Sequence, residues 1–232
     1  MLTLYIANKN YSSWSLRPWL LLKQLQIPFD ERLVPFGSVA DSGGFRSFSP
    51  TGRVPCLVHD DLVVWDSLAI IEYAAELNAM VWPSAPRARA WARCASAEMH
   101  SGFLNIRNIC TMNCGLRVRL NEVTPALERE WARIDELWRE GLRTFEGPFL
   151  AGSNFTAVDA FFAPLAFRAQ SYSPSLSQEA RAYVDRLLCL PHMIEWYEAA
   201  LLEAWRDEEH EQEARSAGEW LVDLRAKQPN AA

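Results

Sequence analysis

The segment Trp82-Pro83-Ser84-Ala85-Pro86 divides the chain into two parts with different periodicities. Proline lacks the backbone N–H and restricts the residue before it, so neither a helix nor a central strand runs through this stretch. Before it, short apolar runs alternate with helix-like segments. After it, apolar residues recur at spacings of three and four, and no strand is expected. The break therefore predicts an α/β unit over residues 1–81 and an all-helical unit over residues 87–225.

The first part reads β-α-β-(α)-β-β-α. LTLYIA is a short buried strand. The polar loop NKNYSSWS leads into LRPWLLLKQLQ, a helix that must start close before Pro18, with Ser13 or Ser15 as the natural N-cap. FDERLVP is a second strand. Residues 36–50 are rich in Gly and Ser and read as a loop or irregular helix anchored by Phe45 and Phe48. VPCLVHDDLVVW is a hairpin, since polar His-Asp-Asp separates two apolar runs. Asp66 and Ser67 then open the helix SLAIIEYAAEL. A mixed four-stranded sheet follows from this order.

In the second part, RARAWARCASAEMHSGFLNIRNIC reads as one long helix weakened at Gly102. Thr124-Pro125 starts another, with the apolar stripe Leu127, Trp131, Ile134, Trp138, Leu142 and Phe145. Thr156 and Asp159 form a capping-box pattern ahead of VDAFFAPLAF, which is apolar nearly all round and is expected at the centre. Helices fit residues 177–189 and 191–205. The charged tail from Arg206 is expected to be a solvated helix with a frayed end at KQPNAA.

Composition narrows the function classes. The net charge of −6 and scattered basic residues speak against nucleic acid, and Arg87, Arg89 and Arg93 read as a solvated helix face. No run approaches the ~20 apolar residues of a membrane span, and the first residues lack the pattern of a signal peptide. A cytoplasmic protein is expected. The five cysteines, Cys56, Cys94, Cys110, Cys114 and Cys189, are odd in number and read as free thiols. Cys110 and Cys114 share a helix spacing, but no His or second Cys pair stands near them, so packing is expected and no metal.

Three segments can meet at one sheet edge: the Ser12–Ser13 loop at a helix mouth, Val54-Pro55 opening the hairpin, and Asp66-Ser67 opening the next helix. Helix N-termini offer N–H groups and positive dipole ends to an anion. Val54 before a cis proline can offer its backbone to an extended ligand, and Asp66 can receive an ammonium.

At these residues the chain resembles the cytosolic glutathione S-transferases. The likeness rests on GRVPCLVHDDLVVWDSLAIIEY, the NYSSWSLRPWLLL loop and helix, and FTAVDAFFAPLAF, in the right order over residues 1 to about 205. It is nearest to bacterial serine-type members and the zeta class. The resemblance implies a thioredoxin-like domain followed by a helical domain, a homodimer, and glutathione as co-substrate with no other cofactor. It implies that Ser12 contacts the glutathione sulfur and that Val54 pairs with the cysteinyl backbone beside cis Pro55. Ser67 would take the γ-glutamyl carboxylate and Asp66 its ammonium. Ser13 is a second candidate for the sulfur contact and otherwise a cap; Tyr11 is a third and otherwise packs the loop. Arg53 is placed near the glycine carboxylate. His100, Phe103 and Arg107, with Met99, lie on the helix that lines the electrophile site in this family, or pack between domains. Asp159 is structural.

The loop departs from the zeta pattern, because Ser12 stands where that class carries cysteine. The expected activity is ionisation of the glutathione thiol and its conjugation to a small hydrophobic electrophile. The alternatives are glutathione-dependent isomerisation of the maleylacetoacetate type, peroxidase activity, or a non-catalytic binding protein on the same fold.

Overall fold

The structure is a computed structural model, and it describes residues 1–37 and 44–226. Part of the expected 36–50 loop and the expected frayed end at 227–232 lie outside the described residues.

The first part of the chain forms β1 (Leu2–Ile6), α1 (Ser13–Gln24), β2 (Phe29–Leu33), β3 (Cys56–His59), β4 (Leu62–Trp65) and α2 (Ser67–Leu77), with a 3-10 turn at Gly44–Ser47. The sheet order is β2-β1-β3-β4. β1 runs parallel to β2 and antiparallel to β3, and β3 and β4 form the expected hairpin. Parallel β1 and β2 need a crossover, and α1 supplies it. Leu4, Ile6 and Leu57 are fully buried beneath α1 and α2, whose Leu16, Leu20, Ile70 and Ile71 are equally buried. Phe48 stacks on Tyr5 at 4.1 Å and Phe45 meets Phe36 at 5.8 Å, so both phenylalanines anchor the connection as expected.

Two local expectations are corrected here. The N-cap position of α1 is Ser12, not Ser13 or Ser15, and no side chain caps it. Pro18 lies inside α1 and removes the bond its nitrogen would make to the Trp14 carbonyl.

The second part holds α3 (Pro86–Ser101), α4 (Leu104–Ile109), β5 (Leu116–Leu120), α5 (Pro125–Thr144), α6 (Ala157–Tyr172), α7 (Gln178–Leu188), α8 (Pro191–Leu202), α9 (Glu208–Ala217) and β6 (Gly218–Asp223). It is dominated by helices, with α6 buried along almost its whole length. The Thr156–Asp159 box is formed: Thr156 N donates to Asp159 Oδ2 at 2.9 Å, while Leu150 N and the Tyr183 hydroxyl donate to Oδ1 at 3.0 and 2.9 Å.

Three expectations fail in this part. A two-stranded antiparallel ribbon, β5 with β6, stands where no strand was expected, and it absorbs the tail beyond α9. The long helix breaks into α3 and α4, because Phe103 takes a left-handed φ of 60° and Gly102 leaves the helix extended. A Cβ on Gly102 would sit 2.9 Å from the Glu98 carbonyl oxygen. Cys110 therefore ends α4, and Cys114 lies beyond it in a turn, so they do not share a helix; both are buried free thiols. No helix among the described residues is long and apolar enough to cross a membrane.

Candidate active site

The loop between β1 and α1 is held by its own backbone. Tyr11 N and Ser12 N both donate to the Asn8 carbonyl, at 3.1 and 2.9 Å. This tight turn brings Ser12 to the mouth of α1, where the uncapped N–H groups and the dipole favour negative charge. The Ser12 hydroxyl donates to Ser15 Oγ at 2.7 Å, and Ser15 Oγ also accepts from Ala7 N at 3.4 Å. A hydroxyl rotor can reverse such a bond. Ser15 then donates to Ser12, and Ser12 keeps a proton for a ligand.

Ser12 opens onto a cavity of ≈ 510 Å³ that also takes in Tyr11, Ser13, Arg53, Val54 and Arg107. A second cavity of ≈ 600 Å³ is lined by Arg53, Val54, Pro55, Asp66 and Ser67. Trp14, Arg53 and Val54 line both, so the two form one cleft. The Val54–Pro55 peptide bond is cis. Nine of the predicted residues thus converge on this cleft.

The N-terminus of α2 supplies the second cavity with a distinct backbone. Asp66 has φ 75° and accepts from Leu68 N at 2.8 Å. A non-glycine residue in that region costs about 1–3 kcal/mol and persists where its surroundings dictate it. Ser67 is almost fully buried, and its hydroxyl has no protein partner. It is a buried polar group with its hydrogen-bonding capacity free, on the wall of the second cavity.

The remaining candidates fare differently. His100 lines neither cavity; its Nε2 lies 3.6 Å from Asp66 Oδ2, behind the site. Burial holds the His100 imidazole below its usual range, against the pull of Asp66. Phe103 is buried at the start of α4 and lines neither cavity. The Tyr11 hydroxyl is committed to Glu211 Oε1 at 2.6 Å, and burial first, then that carboxylate, push the phenol well above its ordinary range. Ser13 Oγ accepts from Arg168 Nη2 at 3.4 Å.

Sequence reading missed Trp14, Arg168, His210 and Glu213, which line the Ser12 cavity. His210 on α9 stacks on Tyr11 at 5.0 Å and lies 4.9 Å from Phe36, so α9 roofs the cleft. Arg168 had a readable signal: it is the one cation in the apolar run of α6. Among the described residues no group of His, Cys, Asp and Glu could hold a metal ion.

A mixed sheet with a cis-proline edge, two helix mouths and a helical roof over one cleft defines a thioredoxin-like protein with a helical second part. Two family profiles match the chain: glutathione S-transferase, N-terminal domain, over residues 11–77, and glutathione S-transferase, C-terminal domain, over residues 119–199. The chain is 25% identical to a maleylacetoacetate isomerase of Rattus norvegicus over 182 residues, which cover 75% of this chain and 81% of the relative. It is 32% identical to glutathione S-transferase GstB of Escherichia coli (strain K12) over 146 residues, 60% of this chain and 65% of the relative. Among solved structures, a glutathione transferase homologue from Burkholderia with bound glutathione superposes with a TM-score of 0.62 at 23% identity, covering 86% of this chain and 97% of that one. An unclassified glutathione S-transferase from Bombyx mori gives a TM-score of 0.70 at 18% identity, covering 94% and 99%. The chain belongs to the glutathione S-transferase family.

Proposed function

We propose that the protein is a glutathione transferase in which Ser12 stabilises the glutathione thiolate for attack on a small hydrophobic electrophile. The observation that carries this reading is the continuity of one cleft from Ser12, past Val54 and Pro55, to the unpartnered Ser67 hydroxyl. In this reading residues 1–81 hold glutathione and residues 87–225 wall the electrophile. Ser67 donates to the γ-glutamyl carboxylate and Asp66 receives the ammonium. The Val54 backbone pairs with the cysteinyl unit, and Arg53 faces the glycine carboxylate. Glutathione is the co-substrate and no further cofactor takes part; the working form is a cytoplasmic homodimer.

The nucleophile is the ligand's sulfur. A free thiol has a pKa of ~8.5, so only a few per cent is ionised at neutral pH. Lowering it by about two units takes roughly 2.7 kcal/mol. A charge-assisted hydrogen bond from Ser12 supplies about 1.5–3 kcal/mol, and the α1 dipole about 0.3–1 kcal/mol. The thiol proton goes to water, the sulfur pair forms the new C–S bond, and the leaving group departs with its own bonding pair.

The names of the isomerase relatives favour a second reading, in which the same thiolate adds to a conjugated double bond and is expelled after rotation. The loop lacks a cysteine of its own for either role.

Ultraviolet absorbance of bound glutathione thiolate, titrated against pH with the protein and with Ser12→Ala, tests the proposal. Thiolate appearing well below the free pKa, and lost in the variant, is the expected result. Bound glutathione with an unshifted thiol would instead favour a binding protein.

A further inference from the structure

Four arginines surround the Ser12 cavity and none of them is paired with a carboxylate among the described residues. Arg53, Arg107 and Arg168 line the cavity itself. Arg17 stands behind it: its Cζ lies 4.2 Å from the Trp14 ring centroid, and Arg107 Cζ lies 4.5 Å from the same centroid. Two cations therefore share one indole that walls both cavities.

The side chains are fixed by neutral groups. Arg168, only 5% exposed, donates from Nη1 to the carbonyls of Ile106, Arg107 and Cys110. Arg107 donates from Nε to the Gly102 carbonyl at 2.9 Å and from Nη2 to the Met99 carbonyl. Arg17 is 1% exposed and lies between the Trp14 and Phe161 rings, and its Nε and Nη1 have no hydrogen-bond partner. Carbonyls orient a guanidinium but do not neutralise it.

The nearby carboxylates are otherwise engaged or solvated. Glu130 accepts from Asn105 N and Ile106 N at the start of α4. Asp66 faces His100 at 3.6 Å. Glu213 lines the cavity mouth but is exposed. Burial, and then the neighbouring Arg168, pull the Arg107 guanidinium down to about 10, and burial with the other guanidiniums lowers Arg17 too. Asp66, Glu130 and Glu213 offset part of this charge from a distance, but none forms an ion pair with Arg17, Arg107 or Arg168, and a guanidinium held this way gains from a ligand that brings a carboxylate into direct contact.

We propose that the second substrate carries an anionic group, a carboxylate in the simplest case, held in the Ser12 cavity by Arg107 and Arg168. This rests on the transferase reading and narrows it, from a hydrophobic electrophile to one with an apolar reacting end and a charged end. The reacting end lies toward Ser12, and the charged end lies toward α4 and α6. Glutathione has its own anions, but Arg107 and Arg168 line only the Ser12 cavity, whereas Asp66 and Ser67 line only its neighbour.

A chlorodinitrobenzoate, with chlorine para to the carboxylate, and its methyl ester form the test pair. In each, the glutathione sulfur bonds to the chlorine-bearing carbon and chloride leaves with the C–Cl pair, while the thiol proton goes to water. The readout is the ratio of kcat/KM for acid over ester, each divided by the rate constant of its uncatalysed reaction with glutathione thiolate, in the native protein, Arg107→Gln, Arg107→Lys and Arg168→Gln. The native ratio is expected to favour the acid by roughly 10-fold or more, as a charge-assisted pair allows. It should fall toward one in both Gln variants and recover in part in Arg107→Lys.

Calorimetric binding of the two aryl–glutathione conjugates repeats the comparison without turnover, and circular dichroism checks that Arg168→Gln folds. A native ratio of one or below overturns the proposal, as does a preference that survives both Gln variants. A rise in the glutathione KM with the ratio unchanged also overturns it, because the arginines then serve glutathione. If neither aryl chloride reacts and the thiol titrates as in free solution, the transferase reading falls; preferential binding of the acid conjugate would still uphold the anion site.

Discussion

Ser12 and Ser15 face each other across the first turn of α1 as a pair of hydroxyls 2.7 Å apart. The pair explains how a serine that caps nothing is held still. Ser15 takes the Ala7 amide on one side and Ser12 on the other, so Ser12 has few other orientations. If Ser12 donates to the thiolate as proposed, removing its hydroxyl deletes a charge-assisted bond of about 1.5–3 kcal/mol, and Ser12→Ala should lower kcat/KM by about 10- to 150-fold. Ser15→Ala removes only the donor behind it, and a neutral bond of about 0.5–1.5 kcal/mol corresponds to a loss of about 2- to 12-fold. Its pH–rate profile should move to higher pH, since a less polarised Ser12 stabilises thiolate less. A Ser15→Ala profile that overlays the native one would remove Ser15 from the mechanism. Tyr11→Phe tests the rival donor: its hydroxyl is bound by Glu211, so the thiol pKa should hardly move. Ser12 was legible in the sequence because its neighbours Val54, Pro55, Asp66 and Ser67 carry a joint pattern. His210 was not, and Arg168 stood out only as a cation in an apolar run with nothing to say where it pointed, because only the fold brings α6 and α9 to a loop so far upstream.

At the scale of elements, legibility followed the range of the interactions involved. The hairpin of β3 and β4 closes over two residues and was readable from its turn. β5 pairs with β6 from Leu116 with Asp223 to Leu120 with Gly218, and no local pattern announces a partner so distant. LRVRL does alternate, but five residues of alternation between helices are weak evidence without the second strand. The break at Gly102 was marked by composition, yet its completeness depends on Phe103 adopting a left-handed φ. The capping box of α6 was read correctly, and it makes a stability prediction. Burial holds the Asp159 carboxyl up at about 6, against an ordinary value of 3.8 and despite its hydrogen bonds. Between these values the folded chain binds a proton that the unfolded chain has released. The stabilisation is complete below the ordinary value and is lost as pH rises through about 6. Comparing denaturant unfolding of native protein and Asp159→Asn, the native advantage should shrink by about 1 kcal/mol from pH ~5 to ~7. A constant difference across that window would mean that Asp159 is ionised throughout.

The whole molecule is what turns the loop before Ser12 into a site. Lys9 N and Asn10 N, 2.6 and 3.2 Å away, donate to the buried carboxylate of Glu203 at the end of α8, which is 194 residues from Lys9. Trp196 Nε1 donates to the Lys9 carbonyl at 2.8 Å, and Cys114 N to the Asn10 carbonyl at 3.3 Å. Lys9 Nζ pairs with Glu31 on β2 at 2.8 Å and lies over the rings of Trp19 and Trp196. The loop that presents Ser12 is thus clamped between the sheet and the helices, and the proposed thiolate contact depends on that docking. Glu203→Ala would orphan two buried N–H groups at about 1–3 kcal/mol each. Glu203→Gln keeps the shape but turns one acceptor into a donor facing an N–H. Both should lower the melting temperature, with hydrogen exchange at the Lys9 and Asn10 amides rising first. The telling readout is the bound glutathione thiol. If the clamp positions Ser12, the thiol pKa climbs toward its free value in Glu203→Ala even at temperatures where the chain stays folded. If the pKa stays put while stability drops, Glu203 holds the two parts of the chain together and contributes nothing further to the geometry at sulfur.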